Sequence, residues 1–236
     1  MRPQPRTTGR TAVVLAAGSG TRLGAGANKV WLPLGGRELA TWSFRWLIET
    51  KLFDRFVLVV HPLERAMARE ILDRHVNVSV DIVDGGKSRH ESEIRALEFL
   101  SPSIESGACE IVLIHDGARP LASPRLIRRI VETAERDGGC LPYLETAQIT
   151  GSPSKEELVR VQTPQVFQAQ PLLAAYRQSA VEGFEGSDTA MCMEKYQPEI
   201  TVTAVRGSAQ NLKVTYPQDL VMAEHILAAQ GFRLEV

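Results

Sequence analysis

The chain has 236 residues, 44% of them hydrophobic, and a formal net charge of −1. That is enough apolar material for one substantial α/β domain, and too little net charge for a general nucleic-acid or membrane-surface binder, so any cationic site is local and suits a small anion. The three cysteines, Cys109, Cys140 and Cys192, are widely separated and form no CxxC or Cys/His pattern, so neither a disulfide framework nor a zinc site is indicated and all three read as small core residues.

The opening, MRPQPRTTGR, reads as a disordered tail over residues 1–10. The apolar run after it stops at Ala17 without a cleavage context, and no apolar stretch approaches the ~18 residues of a membrane span, so the expected compartment is the cytoplasm. With no repeat, low-complexity block or dividing linker, residues 11–236 are expected to form a single domain.

Residues 12–17 predict a strand that delivers a glycine-rich segment carrying Gly18, Gly20, Gly24 and Gly26 with two cations, Arg22 and Lys29. Glycines admit backbone N–H groups close to an anion and the cations neutralise it, so the natural ligand is a polyphosphate; an ordinary surface loop is the alternative. The P-loop pattern fails, because Lys29 is followed by Val30 rather than Ser or Thr. The dinucleotide fingerprint fails as well, since Leu23 stands where its third glycine belongs and His61-Pro62 follows the next predicted strand.

Residues 39–49 carry a broad helical apolar face, 56–60 (FVLVV) form a run suited to a strand buried on both faces, and Pro62 opens a helix reaching about His75. Residues 76–83 alternate like a further strand, which completes a βαβαβ rhythm and predicts a mainly parallel sheet flanked by helices. The turn that follows, VDGGKSRHES, sits at a strand's carboxyl end. Ligands gather there in open parallel sheets, so this turn and the first loop are expected to line one crevice; a simple tight turn is the alternative.

A helical pattern then ends near Leu100, and a strand at 111–114 delivers HDGARP. Asp116, emerging from a buried strand beside Arg119, suits a divalent cation or a bound anion's partner, the alternative being a structural ion pair that closes a turn. Ser123-Pro124 starts a helix over 125–136 that Gly138-Gly139 ends, and 140–144 reads as a strand. Residues 146–162 lose periodicity and are expected to leave the domain body as an arm or hairpin serving a partner subunit. The chain returns at TPQVF, a helix covers 171–182, Gly186-Ser187-Asp188 caps a shorter one, a strand covers 200–205, Lys213 follows near a strand end, and Pro217 starts the last helix. None of the five histidines shows ligand spacing, and His115 reads as a packing or turn residue.

Taken together, AAGSGTRLG with Lys29, the DGG turn with Ser92, HDGARP, ETAQI, QTPQVF, SDTA and NLKVT resemble the sugar-phosphate and polyol-phosphate cytidylyltransferases, in order and over nearly the whole chain. The resemblance implies a Rossmann-like nucleotide-diphospho-sugar transferase fold, a homodimer that exchanges the arm, Mg²⁺ as cofactor and CTP as co-substrate. It implies transfer of CMP to 2-C-methyl-D-erythritol 4-phosphate, with ribitol 5-phosphate as the alternative acceptor and a non-catalytic nucleotide-binding homologue as the alternative of another class. Carried onto this sequence, the backbone of Ala16, Ala17 and Gly18, with Gly86 and Ser92, would recognise cytosine and ribose, and Arg22 and Lys29 would hold the triphosphate. Asp116 would contact metal and substrate, with Arg119, Thr146, Thr163, Ser187 and Lys213 completing the polyol-phosphate and reaction site. Two departures stand out. Asn28 replaces the usual proline before the loop lysine, and Lys155, with Arg160 nearby, stands where the family has an arm arginine; lysine keeps the charge and loses the bidentate fork.

Overall fold

The computed structural model describes residues 9–18, 28–145 and 159–232. In chain order, β1 (Arg10–Ala16) is followed by a 3₁₀ turn at Lys29–Trp31, the two short strands β2 (Pro33–Leu34) and β3 (Arg37–Glu38), and α1 (Leu39–Thr50). Next come β4 (Arg55–Val60), a 3₁₀ turn at Pro62–Glu64, α2 (Arg65–His75), β5 (Asp81–Asp84), α3 (Arg89–Glu105), β6 (Ile111–Asp116) and α4 (Pro124–Asp137). The remainder is β7 (Gly138–Glu145), β8 (Val159–Val161), β9 (Gln165–Gln168), α5 (Ala169–Glu182), α6 (Thr189–Tyr196), β10 (Thr201–Arg206) and α7 (Pro217–Ala229). No helix among the described residues is long and apolar enough to cross a membrane.

One sheet runs β10-β7-β9-β6-β1-β4-β5, with β8 paired to the far half of β7. β1 pairs parallel with β4 on one side and β6 on the other, β4 pairs parallel with β5, and β7 pairs parallel with β10. Alternation along the central strands explains why both faces are buried. Ala12, Val14, Leu58, Val60 and Leu113 face the core under α1, α2, α4 and α7, while Val13, Val57, Val59, Val112 and Ile114 face α3, α5 and α6. Each of the Val, Leu and Ile side chains among them is worth about 1.5–3 kcal/mol of burial, so this doubly covered region anchors the molecule. The chain crosses from the β4/β5 side to β6 over β1, which makes the β1/β6 boundary the place where connections part and a ligand crevice opens.

Local chemistry sets the helix ends. The side chains of Ser88, Ser123 and Asp188 accept from the amides of Glu91, Leu126 and Met191 at the starts of α3, α4 and α6. The Asp219 carboxylate accepts from Thr215 N and Tyr216 N, both at 2.8 Å, at the start of α7. All three cysteines are free and buried, as their isolation predicts.

Four expectations need correction. Gly9 and Arg10 belong to the sheet rather than to a tail, because the Gly9 carbonyl accepts from Glu110 N (2.7 Å) and Ile111 N (3.1 Å). The strand expected over 76–83 is confined to Asp81–Asp84, since its ladder with β4 begins only at Val57 and Asp81; Val76 and Val78 satisfy their apolar pattern by packing on the core instead. Gly138 and Gly139 end α4 and also begin β7, where a Cβ on Gly139 would lie 2.6 Å from the Phe167 ring. Finally, the returning TPQVF segment forms β9, antiparallel to both β6 and β7 and inserted between them.

Candidate active site

At the carboxyl ends of β1, β5 and β6 lies a crevice of about 730 Å³, lined among others by Ala16, Ala17, Gly18, Lys29, Gly86, Ser92, Asp116 and Lys213. Gly18, at the start of the first glycine-bearing segment, thus meets the Gly85-Gly86 turn as their positions at strand ends require. Gly85 makes that possible: its N–H donates to the Val60 carbonyl (2.7 Å), and a Cβ there would lie 2.2 Å from the Ala17 Cβ. The Ser92 hydroxyl donates to the Ser88 carbonyl (2.8 Å) and accepts from Gly86 N (3.0 Å), so it holds the shape of the turn that presents Gly86 to the crevice.

Asn28 has a structural task at the other side of the mouth. Its amide Nδ2 donates to the Ala16 carbonyl (2.7 Å) and to Glu64 Oε2 (2.9 Å), and the same Glu64 oxygen accepts from Trp31 Nε1 (2.9 Å). This ties the end of β1 to the turn after β4. Its φ of −65° already suits proline. Asn28→Pro is therefore expected to fold, losing about 1–2 kcal/mol for two acceptors left short of a donor and regaining about 0.4–1 from the stiffer unfolded chain. Urea denaturation should show a net loss near 1 kcal/mol, and a loss above about 3 would show that the backbone there does not accept proline.

Asp116 occupies the centre of the opposite wall. Lys213 Nζ donates to its Oδ2 at 2.7 Å and Arg89 Nε to its Oδ1 at 3.2 Å. Burial alone would raise the Asp116 pKa, but Arg89 and Lys213 outweigh it and hold the carboxyl well below the usual range, so the group is ionised. Three separate motifs come together to keep this arrangement. Asp116 N donates to Thr163 Oγ1 (3.0 Å), Asn211 Nδ2 to the Thr163 carbonyl (2.8 Å), and Arg119 Nη1 to the Asn211 carbonyl (2.8 Å). Val214 N donates to the Ala118 carbonyl (2.8 Å), which fixes the segment carrying Lys213, an irregular stretch between β10 and α7 rather than the strand end expected, against the Asp116 loop. Arg119 and Thr163, expected at the substrate, thus stand directly behind the wall. The Arg119 guanidinium has its pKa lowered, by burial first and, against the pull of Asp116, by the nearby charges of Arg160 on β8 and of Arg89.

Ser187 does not line the crevice; it is exposed, just ahead of α6, with its hydroxyl toward Met191 Sδ at 4.0 Å. Arg22, Thr146 and Lys155 lie outside the described residues. Sequence reasoning missed two residues, Arg89 and Glu93. Arg89 lines the crevice, and Glu93 is fully buried 2.7 Å from Arg89 Nη1. The available signal is the position of Glu93 on the same α3 face as Ala96, Leu97 and Leu100, where a charge needs a partner.

His115 closes the network from below. The Thr163 hydroxyl, already accepting from Asp116 N, pairs with His115 Nδ1 (3.2 Å), which leaves the Nε2 proton to donate to the Arg119 carbonyl (3.0 Å). Burial pushes the His115 pKa down to about 4, with Asp116 opposing. A histidine depressed in the folded state stabilises above its unfolded pKa of about 6.5 and loses that contribution as pH falls through the folded value. The stability difference between wild type and His115→Gln should therefore shrink by about 3 kcal/mol between pH 7 and 4 in urea titrations. A difference independent of pH would show that His115 is not held neutral.

Comparison with known proteins places this geometry in context. Residues 11–229 match the family described as IspD, 2-C-methyl-D-erythritol 4-phosphate cytidylyltransferase. The 2-C-methyl-D-erythritol 4-phosphate cytidylyltransferase of Cereibacter sphaeroides is 37% identical over 226 residues, covering 92% of this chain and 96% of that protein. The Bacillus mycoides protein of the same name is 32% identical, covering 93% and 98%. Among solved structures, the 4-diphosphocytidyl-2C-methyl-D-erythritol synthase of Anaerococcus prevotii superposes with a TM-score of 0.77 at 24% identity, covering 93% and 98%, which bears on the fold. The 2-C-methyl-D-erythritol 4-phosphate cytidylyltransferase of Thermus thermophilus gives 0.67 at 26% identity, covering 92% and 98%.

Proposed function

Because this chain belongs to the 2-C-methyl-D-erythritol 4-phosphate cytidylyltransferase family, whose reaction is CTP-dependent cytidylyl transfer, we propose that the crevice between β1, β5 and β6 is where that transfer occurs. The enzyme is a nucleotidyltransferase of isoprenoid biosynthesis that joins CMP from CTP to 2-C-methyl-D-erythritol 4-phosphate and releases pyrophosphate. The observation that carries the siting is the meeting of Lys29, Asp116 and Lys213 with Gly18 and the Gly85-Gly86 turn in one cleft at the sheet's parting point.

The chemistry asks little proton transfer of the protein. A phosphomonoester has a second pKa near 6, so the acceptor phosphate arrives as a nucleophilic dianion. One of its oxygens attacks the α-phosphorus of CTP, and the bond from that phosphorus to the bridging oxygen breaks, with its electron pair leaving on pyrophosphate. What the protein supplies is in-line positioning and relief of anion–anion repulsion. Ala16, Ala17 and Gly18 with Gly86 form the base and ribose side, Ser92 shapes that side, and Lys29 with Arg22 grips the triphosphate. Lys213 lies across from them, Arg119 and Thr163 brace the wall, and Thr146 with Lys155 completes the acceptor side.

Mg²⁺ fits the donor set as a phosphate-borne ion. Asp116 is ionised and each of its oxygens keeps a lone pair beyond its contact with Lys213 or Arg89, and Mg²⁺ commonly takes one carboxylate together with phosphate oxygens and waters. Among the described residues no cluster of three metal-binding side chains offers an all-protein cage. Bound there, the ion would neutralise charge on the triphosphate, with Asp116 as its protein ligand.

The antiparallel exit and return of β7 and β8 at the crevice end support an arm shared within a homodimer, to be read by analytical ultracentrifugation of the intact chain against one shortened within 146–158. Consumption of CTP favours the cytoplasm as its compartment. The assay that tests the whole reading is pyrophosphate release with CTP and 2-C-methyl-D-erythritol 4-phosphate. No turnover there, with robust turnover of ribitol 5-phosphate, would move the enzyme to another acceptor; CTP binding without turnover of either would leave only a nucleotide-binding protein.

A further inference from the structure

The most deeply buried charge that the reaction leaves unused is Glu93, 0% exposed on the inner face of α3. Its Oε1 accepts from Thr189 Oγ1 (2.7 Å) and faces Arg89 Nη1 (2.7 Å), while its Oε2 accepts from the Tyr176 hydroxyl (2.6 Å). A buried ion pair is seldom a better way to fill a core than apolar side chains, so its presence calls for another reason. The Arg89 guanidinium points to one. It spans two carboxylates, Glu93 in the core and Asp116 at the crevice, while its Nη2 is buried with no hydrogen-bond partner. Its placement therefore follows the two charges rather than a saturated set of hydrogen bonds.

Glu93 also reaches the start of α6. Thr189 is the first residue of α6, directly after Ser187 and the cap Asp188, and Ala190 N donates to Gln165 Oε1 (3.1 Å) at the start of β9. The turn before α3 holds the same region, with Ser88 Oγ donating to Glu185 Oε1 at 2.6 Å. One carboxylate thus connects the wall carrying Asp116 with the beginning of α6.

We propose that Glu93 is a positioning residue for CMP transfer: it fixes Arg89, and through Arg89 the Asp116 carboxylate, relative to the start of α6, so that the wall carrying Asp116 keeps one geometry. This rests on the assignment of Asp116 to substrate and metal given above. Glu93→Gln keeps the shape and one acceptor but removes the charge that competes with Asp116 for Arg89. It should lower kcat by roughly 10- to 100-fold, the usual cost of losing an outer partner of a functional group, with the calorimetric Kd for CTP unchanged within about twofold. Tyr176→Phe takes a hydrogen bond from Glu93 without touching Arg89, and should lower Tm while leaving kcat within about threefold. In a double-mutant cycle with Arg89→Gln, the Glu93→Gln loss should disappear, because it acts through Arg89.

Wild-type kcat in Glu93→Gln alongside a lowered Tm, or additive losses in the cycle, would overturn the proposal and leave Glu93 a core residue. If Glu93→Gln alone does not fold, the paired variant Arg89→Gln/Glu93→Gln removes both buried charges together. Equal kcat for the pair and for Arg89→Gln supports the proposal, and a further drop overturns it. Asp116→Asn separates this inference from the reading beneath it. If that variant keeps wild-type turnover, the assignment of Asp116 fails; if it is inactive and Glu93→Gln is unimpaired, only the role of Glu93 fails.

Discussion

Lys213→Ala is expected to lower kcat for CMP transfer by roughly 10²–10³-fold while the protein remains folded. Its ammonium lines the crevice and donates to Asp116 Oδ2 at 2.7 Å. In that cleft a fixed positive charge needs no reorganisation when negative charge builds between the attacking phosphate and the departing pyrophosphate, which makes it worth far more than a surface ion pair. Removing it leaves Asp116 with Arg89, so the carboxylate remains compensated and the fold should survive. The far-ultraviolet circular dichroism spectrum and Tm check folding, and pyrophosphate release checks rate. Turnover within threefold of wild type would show that Lys213 serves Asp116 alone.

The second large effect should fall on nucleotide binding. Gly85→Ala forces a methyl group into a position 2.2 Å from Ala17 Cβ and 3.1 Å from Ser92 Oγ, so either the end of β1 or the second turn must move. Overpacking of this kind costs about 1–3 kcal/mol. Taken from CTP binding, that is roughly 5- to 150-fold in KM, with kcat changing less because Asp116 and Lys213 lie on the other wall. A KM for CTP within twofold of wild type would mean that the two glycine segments need not touch for the nucleotide to bind.

Much of this arrangement is legible in the sequence because strand ends in a parallel sheet leave few choices. Runs such as FVLVV suit doubly buried strands, and Asp116, two residues beyond the apolar run at 111–114, emerges at a carboxyl end. The prediction that the two glycine turns share a cleft follows from the same logic. What stays hidden depends on pairing across distance. β9 is only four residues long, and nothing local tells a short return segment from a strand slotted between two others. Arg89 and Glu93 show the same difficulty in a side chain: an Arg followed four residues later by Glu on a helix reads as a solvated pair until the partner element covers it. Arg119 and Thr163 were recognisable as part of the site, but not as the braces behind it, because their partners, Asn211 and His115, come from elsewhere in the chain.

The insertion of β9 between β6 and β7 has an evolutionary side. Residues 146–158 follow β7 and precede β8 in the chain, while β9 is held separately by two ladders, so a change in the length of that stretch leaves the register of β9 untouched. The half of the sheet built on β1, β4 and β5 likewise shares no ladder with β7 or β8. Such a layout lets residues 146–158 be exchanged without altering a central ladder, so grafting the stretch from a homologue with a different acceptor would test whether it carries acceptor specificity.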